Sequence, residues 1–263
     1  MVKILFLGDV VGEPGRMAAC RTTELYLERG DADFVVVNGE NAAAGRGITP
    51  KLAIDLMRSG VAVITTGDHI WDQKEIIPYI ATEPRLLRPL NYPAGTPGAG
   101  SIVLDTAHGP VAVMNVQCRT FMKTQLDNPF TAAAEEAARL RAETPVILVD
   151  VHGETTSEKI AMGRHLDGKA SLVVGTHTHV QTADERVFPG GTAFLCDAGM
   201  CGPENSVLGR DCEAVVGQFV TGMPTKFPVA RGPVIASGVL VEVDTETGRA
   251  KSVTRVAERY GAP

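Results

Sequence analysis

The chain has 263 residues, 44% hydrophobic and 21% charged, an ordinary globular composition that excludes disorder as its main character. Its net charge of −6, without any Lys/Arg run, argues against strong nucleic-acid binding, and no apolar run approaches the ~20 residues of a membrane span. The five cysteines (Cys20, Cys118, Cys196, Cys201 and Cys212) form no CxxC pair and are odd in number, which fits free thiols in a reducing cytoplasm.

The first residues, VKILFLGDVVG, lack the basic region and cleavage site of a secretory signal, so a cytoplasmic location is expected. Lys3–Leu7 reads as a buried strand from its continuous apolar run. Met17–Glu28 reads as a helix, with Pro14 near its start and Gly30 just past its end. Phe34–Val37 is a second strand, Pro50–Arg58 a helix stopped by Gly60, and Val61–Thr65 a third strand. A helical segment around Asp72–Ile80 follows. Ser101–Asp105 and Val111–Val116 read as a hairpin around Thr106–Pro110.

Thr131–Ala142 is helical by propensity, and Val146–Val149 is another buried strand. The next helix starts near Ser157, where Thr155 and Glu158 have capping-box spacing. Leu172–Val174, Ala193–Leu195, Val234–Val243 and Ser252–Val256 are later strands, with few helices between them. Early βα alternation before a β-rich second half predicts stacked mixed sheets with helices outside. No composition break or repeat divides the chain, so residues 1–263 are read as one domain.

Polar residues follow these strands in a repeated way. Asp9 follows KILFLG; Glu40 and Asn41 follow FVVVNG; Asp68 and His69 follow VAVITTG. His152 ends VILVDV, and His177 and His179 follow LVVG. Ligands in α/β sheets bind beyond the strand carboxyl ends, and parallel strands would bring these five loops to one edge. Taken singly, a strand-end Asp is usually a cap or turn former, and a lone His a satisfied structural residue. Four of the six histidines nevertheless fall in these loops. Carboxylate, amide and imidazole donors without thiolate suit Mn²⁺, Fe or Zn²⁺. Eight such groups exceed the needs of one tetrahedral ion and suit a two-metal centre for displacement at phosphorus, with Glu40 placed to bridge. A dinucleotide-binding reading of GDVVGEPG fails, because Gly8, Gly12 and Gly15 lack GxGxxG spacing and Asp9 would repel a pyrophosphate.

Together GDVVG (8–12), NGENAAAGRGIT (38–49), DHIWD (68–72), DVHGETTSEK (150–159), GTHTHVQT (175–182) and DAGMCG (197–202) resemble the YmdB-like family of calcineurin-like metallophosphoesterases. The resemblance implies a four-layer α/β/β/α sandwich of two mixed sheets with helices outside. It implies two divalent or mixed-valence ions (Fe or Mn, with Zn as a further option), one held by Asp9, Glu40, Asn41 and His179. Glu40, Asp68, His152 and His177 would hold the other, with Glu40 bridging. It makes His69 the residue that contacts phosphate and protonates the leaving oxygen. The implied activity is hydrolysis of cyclic nucleotides, 2′,3′- or 3′,5′-, by in-line attack of a metal-bridging hydroxide. A phosphomonoesterase or nuclease on the same centre, and a metal-dependent regulatory binding module, are the alternative readings. A homo-oligomer is an open expectation.

One position departs from the family pattern: Gly67-Asp68-His69 stands where the family has GNH. Three carboxylates on two divalent ions leave a net charge of +1, where Asn at 68 would leave +2. A less positive site acidifies bound water less, so an Asp68→Asn variant should shift the low-pH limb of the rate profile downward.

Outside this set, Asp72, Asp150 and Glu154 are candidates to orient ligand imidazoles. Arg46, between Gly45 and Gly47, reads as part of a surface turn, with a substrate contact as the alternative. Arg119–Met122 and the loop to Phe130 could line the substrate pocket or simply connect elements. His108 and His165 are not ligand candidates, and Cys196 and Cys201 read as buried thiols.

Overall fold

The computed structural model describes residues 1–262; Pro263, the last residue of the predicted domain, lies outside the described residues. In chain order the first half runs β1 (Val2–Leu7), β2 (Asp9–Val10), α1 (Gly12–Glu28), β3 (Phe34–Asn38), α2 (Pro50–Arg58), β4 (Val63–Thr65), α3 (Ile76–Ile80), β5 (Ser101–Thr106) and β6 (Gly109–Gln117). The second half runs α4 (Pro129–Leu140), β7 (Ile147–His152), α5 (Thr156–His165), β8 (Leu172–Thr176), β9 (Arg186–Val187), β10 (Ala193–Leu195), β11 (Met200–Pro203), α6 (Cys212–Thr221), β12 (Val234–Val243) and β13 (Ala250–Tyr260).

The continuous apolar runs mean that both faces of these strands are covered. Successive side chains on β1 divide between two cores: Val2, Ile4 and Phe6 enter one, Leu5 and Leu7 the other. The same alternation sends Leu148 of β7 to the first core, while Ile147 and Val149 enter a third. The first core lies between a seven-stranded sheet (β1–β4 and β11–β13) and a six-stranded sheet (β5–β10). The outer faces pack against α1 and α2 on one side and α4 and α5 on the other, giving the predicted four layers. Both sheets are mixed: β1, β3 and β4 are parallel neighbours, as are β6, β7, β8 and β10, while β12 runs antiparallel to β1.

Helix α2 has the predicted limits because its punctuation is local: Thr49 Oγ1 accepts the Leu52 N–H, and Pro50 occupies the first turn. Other boundaries shift. Helix α1 begins at Gly12 rather than Met17, because the backbone turns there at a positive φ directly after β2. The segment predicted helical from Asp72 is helical only over Ile76–Ile80. The capping box at α5 does not form: Thr155 makes no cap bond, and the Glu158 carboxylate instead accepts the Arg119 and Thr120 N–H groups. Strand β7 continues through His152, and β13 extends to Tyr260. The short β2, β9 and β11, and helix α6, carry too little periodic signal to be read locally. Cys196 and Cys201 are buried thiols, as expected, and all five cysteines are free.

Candidate metal centre

The strand-end residues meet where the two sheets come together, not along one sheet edge. Asp9, Glu40, Asn41, Asp68 and His69 come from loops of the seven-stranded sheet; His152, His177 and His179 come from the six-stranded sheet. A hydrogen bond ties the two sets, the His177 N–H donating to Asp9 Oδ2 at 3.0 Å. His177 and His179 both have positive φ (96° and 64°), a backbone region that non-glycine residues seldom adopt. Such strain persists when surrounding contacts over-determine the conformation, and it concentrates at functional sites.

His152 lies at the middle of the cluster. Its Nδ1 is 3.0 Å from Thr176 Oγ1, whose own proton goes to Asp150 Oδ1 at 2.7 Å. The threonine oxygen therefore accepts from Nδ1–H, leaving Nε2 to face the site. Three further donor atoms crowd Nε2: Glu40 Oε2 at 2.7 Å, His177 Nδ1 at 3.0 Å and Asp68 Oδ1 at 3.2 Å. One ring nitrogen cannot satisfy three such neighbours by hydrogen bonding. Asp9 Oδ1 is buried without a hydrogen-bond partner, and Glu40 Oε2 is buried with nothing but the contested His152 Nε2 beside it. Buried acceptors of this kind are costly unless something electropositive meets them.

Three sets have donor atoms within 4.8 Å of one another: Asp68/His152/His177, Asp9/Glu40/His152 and Glu40/Asp68/His69. These residues fit a metal ion. The other two predicted ligands lie beside them, with Asn41 Nδ2 3.2 Å from His179 Nε2, which is 3.9 Å from Asp9 Oδ1. Space for the cluster depends on Gly67, since a Cβ there would run into Glu40 Oε2 and His152 Nε2.

Electrostatics follow from the crowding. Burial pushes the Glu40 carboxyl up to about 7, against the His152 charge and with Asp68 and Asp9 adding. Burial works to lower His152, but the Glu40 charge and the Asp68 hydrogen bond prevail and hold it well above its usual range. Burial also opposes ionisation of Asp68, yet the His152 hydrogen bond and charge keep it well below the usual carboxylate range. His177 is pushed down to about 4, first by burial and then by the His152 charge.

A pH-dependent stability results. Near pH 6 the folded protein keeps a proton on Glu40 that the unfolded chain has released, so this group removes stability as pH rises to about 7. The raised His152 adds stability below about pH 6.5, lost as pH rises through its folded value. Both act in one direction, whereas His177 and Asp68 act at lower pH. Chelator-treated protein is therefore expected to melt lower at about pH 8 than at about pH 6.5. At one fixed Mn²⁺ concentration, about a hundred times its Kd at about pH 6.5, binding should add about 2.7 kcal/mol at that pH and more at about pH 8, where fewer protons compete for the ligands. Equal Mn²⁺ shifts at the two pH values would contradict this account.

The surrounding residues sort out clearly. Asp72 Oδ2 lies 3.0 Å from His69 Nδ1, and the His69 N–H donates to Glu40 Oε1 at 3.0 Å. Glu154 Oε2 lies 3.1 Å from His177 Nε2. Asp150 reaches an imidazole only through Thr176, while also accepting from Asn38 Nδ2 at 2.9 Å and from Thr65. A cavity of about 390 Å³ opens over the cluster, lined by Glu40, Asn41, His69, Glu154, His177 and His179, with Arg46, Leu208 and Arg210 among its other walls. Arg46 thus lines the site rather than a remote turn, while residues 119–122 do not reach this cavity. Arg210 escaped the sequence reading because its local sequence carries no motif. Lys159 escaped as well, although it ends the DVHGETTSEK stretch: it is buried, with Nζ 2.7 Å from Asp197 Oδ2, and that carboxylate also accepts from Thr178 between the two site histidines.

A family model described as YmdB-like protein matches residues 5–256. A Bacillus subtilis (strain 168) protein named 2′,3′-cyclic-nucleotide 2′-phosphodiesterase is 46% identical over 255 residues, covering 97% of this chain and 96% of its own. The crystal structure of a Mycoplasma pneumoniae protein, described as a novel phosphatase, superposes with a TM-score of 0.91 at 33% identity, covering 99% of this chain and 94% of that one. A hypothetical protein of Thermus thermophilus superposes with a TM-score of 0.90 at 37% identity, covering 99% and 100%.

Proposed function

This chain belongs to the YmdB-like protein family, and on that premise we propose that its centre hydrolyses 2′,3′-cyclic nucleotides to 3′-phosphates. It is a metal-dependent phosphoric ester hydrolase. The observation that carries the reading is the crowding of Glu40, Asp68 and His177 around His152 Nε2 beneath an open cavity. The 2′,3′ preference rests on the name of the Bacillus relative.

We assign two ions to this centre, Fe or Mn before Zn; Asp9, Glu40, Asn41 and His179 would hold the first, and Glu40, Asp68, His152 and His177 would hold the second. Bound there, the ions supply Lewis acidity and lower the pKa of water at the site. The chain's own residues do the rest. Thr176 and Asp150 hold the His152 ring by its Nδ1, and Glu154 braces His177. Asp72 engages His69 Nδ1, which leaves His69 Nε2 as the atom for the substrate. Water adds at phosphorus as the bond from phosphorus to O2′ breaks; His69 Nε2 gives its proton to the leaving 2′ oxygen, and the proton shed by the attacking water returns to the imidazole through solvent. Burial holds His69 below its usual range, and Asp68 and then Asp72 favour the imidazolium that must hold this proton.

The whole chain works as one domain in this reading, and its five free cysteines agree with the reducing cytoplasm. No helix among the described residues is long and apolar enough to cross a membrane. The test is steady-state hydrolysis of 2′,3′-cyclic AMP by Mn²⁺-loaded protein, beside 3′,5′-cyclic AMP and a phosphomonoester, with His177→Ala as the contamination control. The expected result is 3′-AMP as the product of the wild type, with turnover lost in the variant. Removing His69 as proton donor should cost about a hundredfold or more in kcat. Metal binding without diester turnover would overturn the assignment, and faster monoester cleavage would favour the phosphatase reading.

A further inference from the structure

Arg46 and Arg210 belong to the wall of the metal cavity, and the same two residues line a second cavity of about 490 Å³. The second cavity continues past them along Ala43, Gln73, Thr225 and Phe227. The two guanidinium groups therefore stand between the centre and an adjoining space.

Their charges are balanced differently. Arg46 Nε is 2.9 Å from Asp72 Oδ2, the carboxylate that also engages His69. Arg210 has no carboxylate within ion-pairing distance among the described residues. It donates to three carbonyl oxygens, those of Ala44 and Phe227 at 3.1 Å each and that of Gly45. The guanidinium lies so close over Gly45, at φ 88°, that a Cβ there would strike it. Three neutral acceptors fix the group in place, leave its charge uncompensated and leave donors of its five-donor fork for a ligand. Burial and the neighbouring Arg46 both disfavour the cation at this position. Arg210, a fixed cation beside Arg46 with no carboxylate of its own, presents free N–H donors suited to a charge-assisted contact with a phosphate. The overall charge of −6 makes this local pair stand out.

We propose that Arg46 and Arg210 form a subsite for a second phosphate of the substrate, on the 5′ side of the phosphate that is cleaved. The assignment rests on the cyclic-nucleotide reading above and narrows its substrate class. The favoured substrates are short oligonucleotides ending in a 2′,3′-cyclic phosphate, or 5′-phosphorylated cyclic mononucleotides, ahead of the bare cyclic mononucleotide. In the oligonucleotide case the preceding nucleoside extends into the second cavity, where Phe227 offers a partly exposed ring.

The test compares kcat/KM of Mn²⁺-loaded full-length protein on 2′,3′-cyclic AMP, its 5′-phosphorylated form and an adenosine dinucleotide ending in a 2′,3′-cyclic phosphate. A charge-assisted contact predicts a gain of about tenfold or more, chiefly through KM, for either doubly phosphorylated substrate. A gain confined to the dinucleotide assigns the subsite to an internucleotide phosphate; a gain shared by the 5′-phosphorylated mononucleotide assigns it to any second phosphate. Arg210→Gln should bring the ratio to near one. Calorimetric binding of adenosine 3′,5′-bisphosphate against 3′-AMP should show the same preference without turnover. Equal kcat/KM on all three substrates, together with equal binding of the two products, overturns the subsite while leaving the phosphodiesterase standing. Failure to cleave any of the three overturns the parent reading instead.

Discussion

A Gly67→Ala variant is expected to lose about a hundredfold or more in kcat/KM while remaining folded. The added Cβ would occupy the space of Glu40 Oε2 and His152 Nε2, the two atoms closest together in the cluster. Neither can retreat freely. Glu40 Oε1 accepts the His69 N–H, and His152 is held from its far side by Thr176. A displacement of about 1 Å at a reacting centre is enough for a loss of this size. Bound metal, measured by elemental analysis, should fall with activity, whereas the far-ultraviolet circular dichroism spectrum should not change. Full metal content with full activity would show that the cluster tolerates the methyl group and that the geometric account is wrong.

The second large effect is on stability. Lys159 and Asp197 are both almost fully buried, and their 2.7 Å ion pair joins α5 to the loop after β10. Lys159 Nζ also donates to the Thr176 carbonyl at 3.3 Å, next to His177. Lys159→Met would leave the Asp197 carboxylate buried without a counter-charge, a loss of about 3–5 kcal/mol. For a chain of this size that is a fall of roughly 10 °C in Tm. Combining it with Asp197→Asn removes the stranded charge and should recover a good part of the loss. No recovery in the double variant would mean that the lysine stabilises by packing rather than by charge. Metal affinity should fall in the single variant as well, because Asp197 anchors Thr178 between His177 and His179.

Much of this site is legible in the amino-acid sequence. Asp9, Glu40, Asp68, His152 and His177 each follow or end a short apolar run rich in β-branched residues, and runs of that length and composition read as buried strands. The rest is hidden for identifiable reasons. Arg210 lies between β11 and α6, neither of which has a periodic pattern, and it is held at the site by the carbonyls of Ala44 and Gly45, 166 and 165 residues away in sequence, and of Phe227. Lys159 carries no local sign of burial, because its partner Asp197 lies 38 residues further along the chain. The capping box at Thr155 is complete by spacing, yet Glu158 is claimed by the Arg119 loop, a long-range contact that overrides the local rule.

The sequence by itself determined the longer strands, the donor residues at their ends and the family, because hydrophobic runs and motif spacings are properties of neighbouring residues. Only the tertiary structure decided that the candidate ligands divide between two sheets instead of sharing one edge. The same holds for the tautomer of His152, which a threonine on an adjacent strand sets, and for the two arginines between the cavities. Each of these depends on side chains from distant segments meeting at hydrogen-bond range, and that is fixed by how the sheets pack, which no local pattern encodes.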